Sequence, residues 1–300
     1  MRLELNSNSL ISIVMPTYNQ SEFLSYSIDS VLSQSFTNWE LLIVDNFSSD
    51  ETTNILKNYS DPRIKVLQIN NGGVIAKSRN VAIKASKGDW IAFLDSDDYW
   101  LPTKLELLSK YFNTSYDLIY HHMKVIKGTD NIFTNEPVKS RKLRKPVLKD
   151  LIINGNTIVT SSVVVRKKYL VKVNYMSEAP ELIGIEDYNT WLRISKFTEA
   201  FQLVPLELGV YRRHENNNSH SQDANLYIEA FREFLPLLSD REKKGIKLNH
   251  LYAYSRLKYL NKDYQNLRQE LTYLLIHGSV FTKAKSFFML ITIFKNSIYL

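Results

Sequence analysis

The sequence predicts an α/β domain with a doubly wound, mostly parallel mixed sheet, followed by a helical C-terminal extension. Two observations lead to this class. Between residues 10 and 100, four near-continuous apolar runs alternate with three stretches of helical spacing, the pattern of a parallel sheet covered by helices on both faces. After a polar stretch at 215–221, only helical periodicity remains. We therefore expect one domain over residues 1–215 and a helical region over 216–300.

Short apolar runs bounded by turn residues predict the first strands. They cover residues 10–15, 39–44, 64–69 and 90–94. Pro16 is expected to end the first strand. The sequence also predicts three helices, over 21–34, from the stretch 48–51 to about residue 59, and over 74–86. In the first of them, apolar residues at helical spacing share one face. Ser48 and Glu51 have the spacing of a capping box, which would open the second helix.

The rest of the first domain is less regular. Its periodicity predicts a helix over 103–112, strands over 117–120, 157–165, 201–204 and 208–211, and a short helix beginning at Glu186. Residues 127–149 are polar and predict a loop or hairpin. This stretch contains Lys139, Arg141, Lys142, Arg144, Lys145 and Lys149. It is either a solvated basic surface or a flap that covers an anionic substrate or contacts anionic lipid.

Helical periodicity in the C-terminal region predicts helices over 223–238, 248–260, 262–276 and 280–298. The last helix combines an apolar run at 287–294 with Lys283, Lys285 and Lys295. It is too short and too charged at its flanks to span a bilayer. Two readings stay open: the helix lies in a membrane interface with its lysines at the headgroups, or it packs on its helical neighbours.

Composition bounds the class of protein. The chain contains no cysteine, which excludes disulfides and thiolate metal sites and suits a reducing compartment. The first residues lack the apolar stretch of a signal peptide, so we expect a cytoplasmic protein. The net charge is +7, divided as −4 over residues 1–100 and +11 over 101–300. A basic remainder suggests an anionic partner such as nucleic acid, anionic lipid or a phosphorylated acceptor.

A cluster of carboxylates follows the fourth predicted strand, at Asp95-Ser96-Asp97-Asp98. Close carboxylates repel one another, and a hard cation such as Mg²⁺ or Mn²⁺ would relieve that repulsion. An Asp-rich turn is the alternative. Polar residues also follow the other three strands, at 16–19, 45–46 and 70–73. Ligands of such sheets bind outside the carboxyl ends of the strands, so the four clusters together favour a metal–phosphate site.

No dinucleotide-binding G-x-G-x-x-G motif and no P-loop motif follows the first strand. Six blocks in a fixed order carry a different resemblance. They are Pro16-Thr17-Tyr18-Asn19, Val44-Asp45-Asn46-Phe47-Ser48-Ser49-Asp50, Ser78-Arg79-Asn80 before Lys87-Gly88, Asp95-Ser96-Asp97-Asp98, Glu186-Asp187 before Trp191, and Tyr211-Arg212-Arg213-His214. Over about residues 10–215, the chain resembles the family-two glycosyltransferases with the GT-A fold, the nucleotide-diphospho-sugar transferase fold.

The resemblance implies an inverting, metal-dependent hexosyl- or N-acetylhexosaminyltransferase of bacterial surface polysaccharide synthesis. Its donor would be a nucleotide-sugar, with UDP-sugars favoured. Its acceptor would be a saccharide or a lipid-linked sugar. The protein would work in the cytoplasm, with the inner face of the plasma membrane as a candidate place. Capsule and lipopolysaccharide are candidate products. The basic residues form no recognised nucleic-acid-binding module, so nucleic acid is not an expected partner.

The resemblance also implies roles for the donor-side residues. Asp45 would accept hydrogen bonds from the base, and the loop from Pro16 to Asn19 would line the base pocket, with Tyr18 stacking. Asn19 is alternatively a turn residue. The remaining nucleotide-sugar-binding candidates are Arg79, Asp95, Ser96, Arg212 and Arg213. Arg79 would pair with a donor phosphate or form a structural ion pair with Asp95.

Metal and acceptor roles follow in the same way. Asp97 would bind Mn²⁺ or Mg²⁺ directly, and Asp95 would contact ribose or the metal through water. His214 is either a third ligand or a structural hydrogen-bonding group. Asp187 would be the general base, unless it only complements a helix dipole. Glu186 and Trp191 would shape the acceptor side.

Two other functions stay open for the sequence. A nucleotidyltransferase would share the α/β layout, but it would need a glycine-rich basic loop after the first strand, and Met15 to Asn19 lack it. An inactive nucleotide-sugar-binding protein would be expected to lack Asp97 or Asp187, and both are present. Asp98 has no assigned role beyond capping the following turn. The oligomeric state cannot be read from these patterns.

Overall fold

A computed structural model gives the structure of the 300-residue chain. It describes residues 9–112, 114–128, 132–134, 137–214, 224–260 and 262–298. The chain divides into two compact units. The first comprises Met1–Leu148 and Asn156–Ser219, and the second comprises Lys149–Gly155 and His220–Leu300. The polar stretch predicted as a linker, 215–221, lies outside the described residues.

The first half of the first unit is a parallel sheet with crossover helices. Its strands are β1 (Ile11–Thr17), β2 (Trp39–Asp45), β3 (Ile64–Gln68) and β4 (Trp90–Phe93), in the spatial order β3-β2-β1-β4. The helices are α1 (Leu24–Leu32), α2 (Thr52–Lys57) and α3 (Ile75–Ala85). Strands β1, β2 and β4 are buried along their whole length, as their continuous apolar sequences predict.

The second half extends the same sheet with mixed pairing. Its elements are β5 (Tyr99–Trp100), α4 (Lys104–Ser109), β6 (Leu118–Lys127), β7 (Ile132–Phe133), the first two residues of α5 (Val147–Asn154), β8 (Val164–Arg166), α6 (Lys167–Lys172), α7 (Glu186–Ser195) and β9 (Phe201–Arg213). The rest of α5, from Lys149, belongs to the second unit. Strand β8 lies antiparallel between β4 and β6, β9 runs parallel to β6, and β5 is antiparallel to β9. Among the described residues the sheet has nine strands.

Two predicted features of the first loops are wrong. Strand β1 continues through Pro16, which lies opposite Val44 of β2, because proline's φ suits an extended backbone and only its own hydrogen bond is lost. Ser48 does not cap α2. Its hydroxyl donates to Asp45 Oδ1 at 2.6 Å, and Asp50 Oδ1 accepts from the Thr52 N–H at 3.0 Å. A capping motif read from spacing fails here because Ser48 Oγ accepts the N–H of Asn19, at 2.9 Å, and not an N–H of the helix.

Two predicted strands also differ from the structure. Residues 157–165 form a strand only at their end, since Thr160–Ser162 is a 3₁₀ turn before β8. The strands predicted over 201–204 and 208–211 are one strand, β9, whose register against β6 shifts between His121 and Met123. This irregularity lets the chain pass Pro205 without ending the strand.

The basic stretch is fixed to the sheet at several points. Val138 exchanges backbone hydrogen bonds with Met123 of β6, at 2.9 and 3.0 Å. The Tyr120 hydroxyl donates to the carbonyl oxygen of Arg141 and accepts from the N–H of Leu143. Of the six basic side chains named above, Lys139, Lys142, Arg144 and Lys145 are exposed. This part of the stretch is therefore an anchored segment with an exposed basic side.

The second unit is helical. It contains α8 (Ala224–Phe231), α9 (Asp240–Leu260), α10 (Leu267–His277) and α11 (Val280–Ile298). Leucines of α10 pack with Met289, Leu290 and Ile293 of α11 in a core to which α9 contributes Leu248 and Leu251. None of the helices in the described part of the chain has the length and hydropathy needed to cross a membrane.

Candidate active site

The acidic loop consists of residues 95–98, which follow β4. Hydrogen bonds with α1 and with the 3₁₀ turn before β8 fix its conformation. The Ser27 hydroxyl contacts the carbonyl oxygens of Ser96 and Asp98, at 2.8 and 2.5 Å. The Asp95 N–H donates to Ser161 Oγ at 3.1 Å. Ser96 is buried. The loop is thus a fixed structure whose backbone bonds set the directions of its three carboxylates.

Asp98 points into the protein. It is buried, and its Oδ1 accepts from the backbone N–H of Arg212 on β9 at 3.0 Å. Burial, reinforced by Asp97 and Asp95, raises the pKa of Asp98 well above its ordinary value. This aspartate, which the sequence left without a role, joins the acidic loop to β9.

Asp97 and His214 form a pair near the surface. Asp97 Oδ2 lies 3.0 Å from His214 Nε2, although 117 positions separate the residues. The imidazole ring also packs on Phe23, with ring centroids 5.0 Å apart. The structure therefore brings together two of the three predicted metal ligands.

The two arginines before His214 differ in position. Arg212 is fully buried, and its guanidinium donates to the carbonyl oxygens of Asp97 and Gly128, at 3.3 and 2.8 Å. Arg213 is exposed. Arg212 thus supports the acidic loop from inside, and Arg213 is the one of the two that solvent or a ligand can reach.

Arg79 of α3 bridges two acidic groups. Its Nη2 lies 2.6 Å from Asp95 Oδ1, and its Nη1 lies 2.5 Å from Glu186 Oε1. Burial alone would lower the pKa of Arg79, but Asp95 and Glu186 outweigh burial and raise the pKa above its usual range. The same burial raises the pKa of Asp95, despite the attraction of Arg79. One cation thus connects the acidic loop to the start of α7.

Asp187 lies in the first turn of α7. Its Oδ2 accepts from the Thr160 hydroxyl at 2.7 Å. Burial and the neighbouring charge of Glu186 raise the pKa of Asp187 from 3.8 to about 6, although Thr160 and Arg79 act in the opposite direction. A carboxylate with a raised pKa is a stronger base than an ordinary aspartate and is still ionised at pH 7. The arrangement can accept a proton from a nearby hydroxyl.

The other acidic and aromatic residues of α7 face inward. Glu186 Oε2 accepts from the Gly184 N–H at 2.7 Å, so both of its oxygens are engaged within the protein. Trp191 is fully buried and meets Phe93 edge to face, with ring centroids 5.7 Å apart. The structure places Trp191 in the core under the site and not on its surface.

The loops after β1 and β2 form the other side of the site. Asp45 is buried and accepts from the Ser48 hydroxyl and from Gln68 Nε2, at 2.6 and 3.2 Å. Asn19, with φ +48°, accepts from the Ser49 N–H through Oδ1 at 2.8 Å. Its backbone N–H donates to Ser48 Oγ. Asn19 is therefore a turn residue, as the alternative prediction held, and it also joins the two loops.

Two aromatic side chains stand out from these joined loops. Tyr18 is 54% exposed and Phe47 is 59% exposed. Phe47 adopts φ +52°, the left-handed region that side chains larger than those of Gly, Asn and Asp rarely enter. Pro16, by contrast, is buried within β1. Phe47 belongs to the block Val44 to Asp50 but has no predicted role. The sequence signal for such a role is an aromatic residue directly after Asp45-Asn46 at a strand end.

The acidic loop can hold a divalent cation. In the described residues, no three His, Cys, Asp or Glu side chains are grouped as metal ligands. Asp97 and His214 nevertheless place a carboxylate oxygen and an imidazole nitrogen side by side. Mg²⁺ commonly binds through one or two carboxylates and takes other ligands from substrate phosphates and water, and carboxylates also suit Mn²⁺. The donor set therefore fits a cation whose remaining ligands come from a diphosphate.

Comparison with known proteins decides the family. The sequence model described as Glycosyl transferase family 2 matches residues 12–173, more than half of the chain. The chain belongs to glycosyl transferase family 2. One relative of this family-2 glycosyltransferase is the Escherichia coli protein UDP-Glc:alpha-D-GlcNAc-diphosphoundecaprenol beta-1,3-glucosyltransferase WfgD. It is 35% identical over 189 residues, which cover 62% of this chain and 70% of the relative.

Solved structures agree on the fold of this family-2 glycosyltransferase. S. aureus TarS 1-349 in complex with UDP-GlcNAc superposes with a TM-score of 0.63 at 21% identity, covering 89% of this chain and 80% of the TarS 1-349 chain. The mannosyltransferase PcManGT from Pyrobaculum calidifontis, in complex with GDP-Man and Mn²⁺, gives a TM-score of 0.60 at 14% identity, covering 91% and 77%. The predicted GT-A fold and the glycosyltransferase class are confirmed.

Proposed function

We propose that this glycosyltransferase moves a sugar from a UDP-sugar to a hydroxyl group of a lipid-linked saccharide, with inversion at the anomeric carbon. One observation carries the proposal. Arg79 pairs with Asp95 and with Glu186, and so connects the acidic loop that holds the Asp97–His214 pair to the start of α7, where Asp187 lies. A diphosphate-binding side and a proton-accepting side are what displacement at a nucleotide-sugar requires. The raised pKa of Asp187 supports the second side.

The donor would bind across the joined loops. Asp45 and Asn19 would contact the base edge, and Tyr18 and Phe47 would supply aromatic surface for stacking. Asp95 would contact ribose or metal-bound water through the oxygen that Arg79 does not bind. Arg213, the exposed arginine of β9, would reach the diphosphate, whereas Arg79 and Arg212 would act from within by fixing the acidic loop.

Asp97 and His214 would hold Mn²⁺ or Mg²⁺. A bound cation of this kind neutralises the charge that grows on a departing diphosphate. Manganese in the structure of PcManGT supports a divalent ion for a related fold.

On the acceptor side, Asp187 would take the proton of the attacking hydroxyl group. The acceptor oxygen then forms a bond to the anomeric carbon while the bond between that carbon and the diphosphate oxygen breaks. The electron pair leaves with UDP, and a single displacement inverts the configuration. Thr160 would hold the carboxylate in place through its 2.7 Å hydrogen bond, and Glu186 would keep Arg79 beside it.

The acceptor class rests on similarity. The name of the E. coli relative specifies a UDP-Glc donor and a GlcNAc-diphosphoundecaprenol acceptor, which supports a polyprenyl-diphosphate-linked sugar here. We infer a role in bacterial surface polysaccharide synthesis, with capsule and lipopolysaccharide as candidate products, at the inner face of the plasma membrane. The transferred sugar would be a hexose or an N-acetylhexosamine. We further propose that residues 1–215 carry the catalytic function.

The test measures release of the nucleotide by the purified full chain from a panel of UDP-, GDP- and CMP-sugars. The acceptor is a synthetic polyprenyl-diphosphate-linked GlcNAc, and the metal is Mn²⁺, Mg²⁺ or a chelator. We expect acceptor-dependent turnover that the chelator removes, with inverted anomeric configuration in the product by NMR. Asp97→Asn should lose metal-dependent turnover. Asp89→Asn serves as the matched control, because this exposed aspartate lies at the opposite end of β4.

Three results would contradict the proposal in separable ways. Retained configuration in the product would exclude a single displacement. Full turnover in chelator would remove the metal from the reaction. Turnover with a GDP- or CMP-sugar alone would replace UDP as the donor nucleotide while leaving the reaction class intact.

A further inference from the structure

The last helix of the chain has two apolar faces. One faces the core of the helical unit, where Met289, Leu290 and Ile293 are buried. The other faces solvent, where Val280 is 82%, Phe281 80% and Phe288 68% exposed. A surface helix of a globular protein normally carries polar residues on its solvent side. This helix therefore has a surface that its own unit does not cover.

The exposed apolar residues form one continuous face. At about 100° per residue, the positions between residues 280 and 291 that share an arc of roughly 120° are Val280, Phe281, Ala284, Phe287, Phe288 and Ile291. We call these six residues the outward face of α11. All are apolar, and all except half-buried Ile291 are exposed. The arc lies opposite the buried positions, so packing in the core leaves the outward face open.

Lysines border this face on both sides. On the same helical projection, Lys283 lies about 40° beyond one edge of the arc and Lys285 about 40° beyond the other edge. No aspartate or glutamate occurs from residue 271 to 300. The third lysine of this stretch, Lys295, does not border the face: its position falls within the arc, one turn beyond Ile291. An apolar surface between two cationic borders is complementary to a bilayer that presents acyl chains beneath anionic headgroups.

The end of α10 extends the apolar surface along the chain. Ile276 is 62% exposed, and the turn that follows it leads within four residues to Val280. That turn is fixed by the hydrogen bond from the Gly278 N–H to the Leu274 carbonyl oxygen, at 2.8 Å. The exposed apolar residues on either side of the turn therefore belong to an ordered structure.

We propose that the outward face of α11 docks the protein onto an anionic bilayer, with the aromatic side chains at the acyl boundary and the two lysines at the headgroups. The helix would lie parallel to the membrane plane, since it is not long and apolar enough to cross it. The docking proposal depends only on this surface and is independent of which donor sugar the enzyme uses. Its consequence is that a lipid-embedded acceptor and the enzyme meet on the same surface.

Vesicle flotation of the full chain tests the proposal in the absence of nucleotide. The probes are vesicles of neutral phosphatidylcholine and vesicles with roughly one third phosphatidylglycerol. We expect the wild type to float with the anionic vesicles. Phe281→Glu/Phe288→Glu should lower the partition coefficient at least about tenfold, since each phenylalanine loses its apolar transfer. Lys283→Gln/Lys285→Gln should lower it about fivefold per lysine on anionic vesicles only.

The matched control is Leu237→Glu, a substitution of an exposed apolar residue in the same unit, which should float like the wild type. Unchanged thermal unfolding of each variant shows that the fold is kept. Three results would overturn the proposal. They are absence of wild-type flotation, equal flotation of the Phe281→Glu/Phe288→Glu variant, and a concentration-dependent dimer in sedimentation that this variant dissociates. The last result would assign the face to a second copy of the chain. UDP binding, measured separately, is unaffected by any of these outcomes.

Discussion

Replacing Asp187 with asparagine should remove activity and yet stabilise the protein. The pKa of this carboxyl group is raised from 3.8 to about 6. Each unit corresponds to about 1.36 kcal/mol, so ionised Asp187 costs the folded state up to about 3 kcal/mol at pH 8. Partial exposure screens the charge, and asparagine keeps only a neutral hydrogen bond to Thr160. We therefore expect Asp187→Asn to gain about 1–2 kcal/mol.

The gain should depend on pH in a defined direction. The folded protein binds the Asp187 proton more tightly than the unfolded chain does, so ionisation destabilises the fold as pH rises from about 4 to 6. The advantage of Asp187→Asn should be complete at pH 8, fall to roughly half at pH 5, and vanish below the unfolded pKa. Turnover of the wild type should fall as pH drops through about 6, because a base must be ionised to act.

Two measurements on the same samples check this prediction. Urea unfolding at pH 8 and pH 5 gives the free energies, and UDP release gives the activity, which should fall about 10²- to 10⁴-fold. The control is Asp89→Asn, which should change neither. Lower stability together with lower activity would mean that Asp187 is needed to hold the start of α7. Activity near the wild-type level would remove it as the base.

Three further variants address the groups around this carboxylate and the donor side. Thr160→Val removes a hydrogen bond that lowers the pKa of Asp187, so the acidic limb of the pH–rate profile should move to higher pH. Thr160→Ser keeps the hydroxyl and should leave the limb in place. An unmoved limb in Thr160→Val would contradict this prediction. Arg79→Met leaves two carboxylates without their cation and should cost about 3–5 kcal/mol in urea unfolding. Lys243→Met, which breaks a pair whose other member, Asp240, is fully exposed, should cost less than about 1 kcal/mol; equal costs would refute the bridge. Phe47→Gly should weaken UDP binding in calorimetry about 5- to 150-fold without lowering thermal stability, because glycine accepts the left-handed backbone that phenylalanine holds; unchanged affinity would exclude stacking by Phe47.

The strand ends of the first hundred residues could be predicted because the signal is local. Apolar runs, turn residues and helical spacing identify alternating strands and helices, and parallel strands direct their carboxyl ends to one edge. The loops at 16–19 and 45–50 are joined in the structure, as that argument requires. Where local signals competed, the sequence misled: Ser48 had the spacing of a cap, yet it binds Asp45.

The contacts that determine the environment of each charged residue could not be predicted from local sequence signals. Arg79 meets Glu186 and Asp97 meets His214 across more than a hundred positions. Thr160, which no motif included, reaches Asp187 only because residues 160–162 form a 3₁₀ turn and not the predicted strand. Such contacts depend on how helices and strands pack against one another. The number of residues between two positions does not give their distance in space.

By itself, the sequence determined the layout: an acidic strand end, a set of polar loops on the same edge, and an acidic pair that opens a later helix. Only the tertiary structure decided which carboxylate does what. In the folded chain, Asp98 points inward, Asp95 pairs with Arg79, and Asp97 lies beside His214. Burial raises the pKa of Asp187. Four aspartates with the same intrinsic chemistry differ because burial and the nearest charge set the energy of each ionised form, and both are properties of the folded chain.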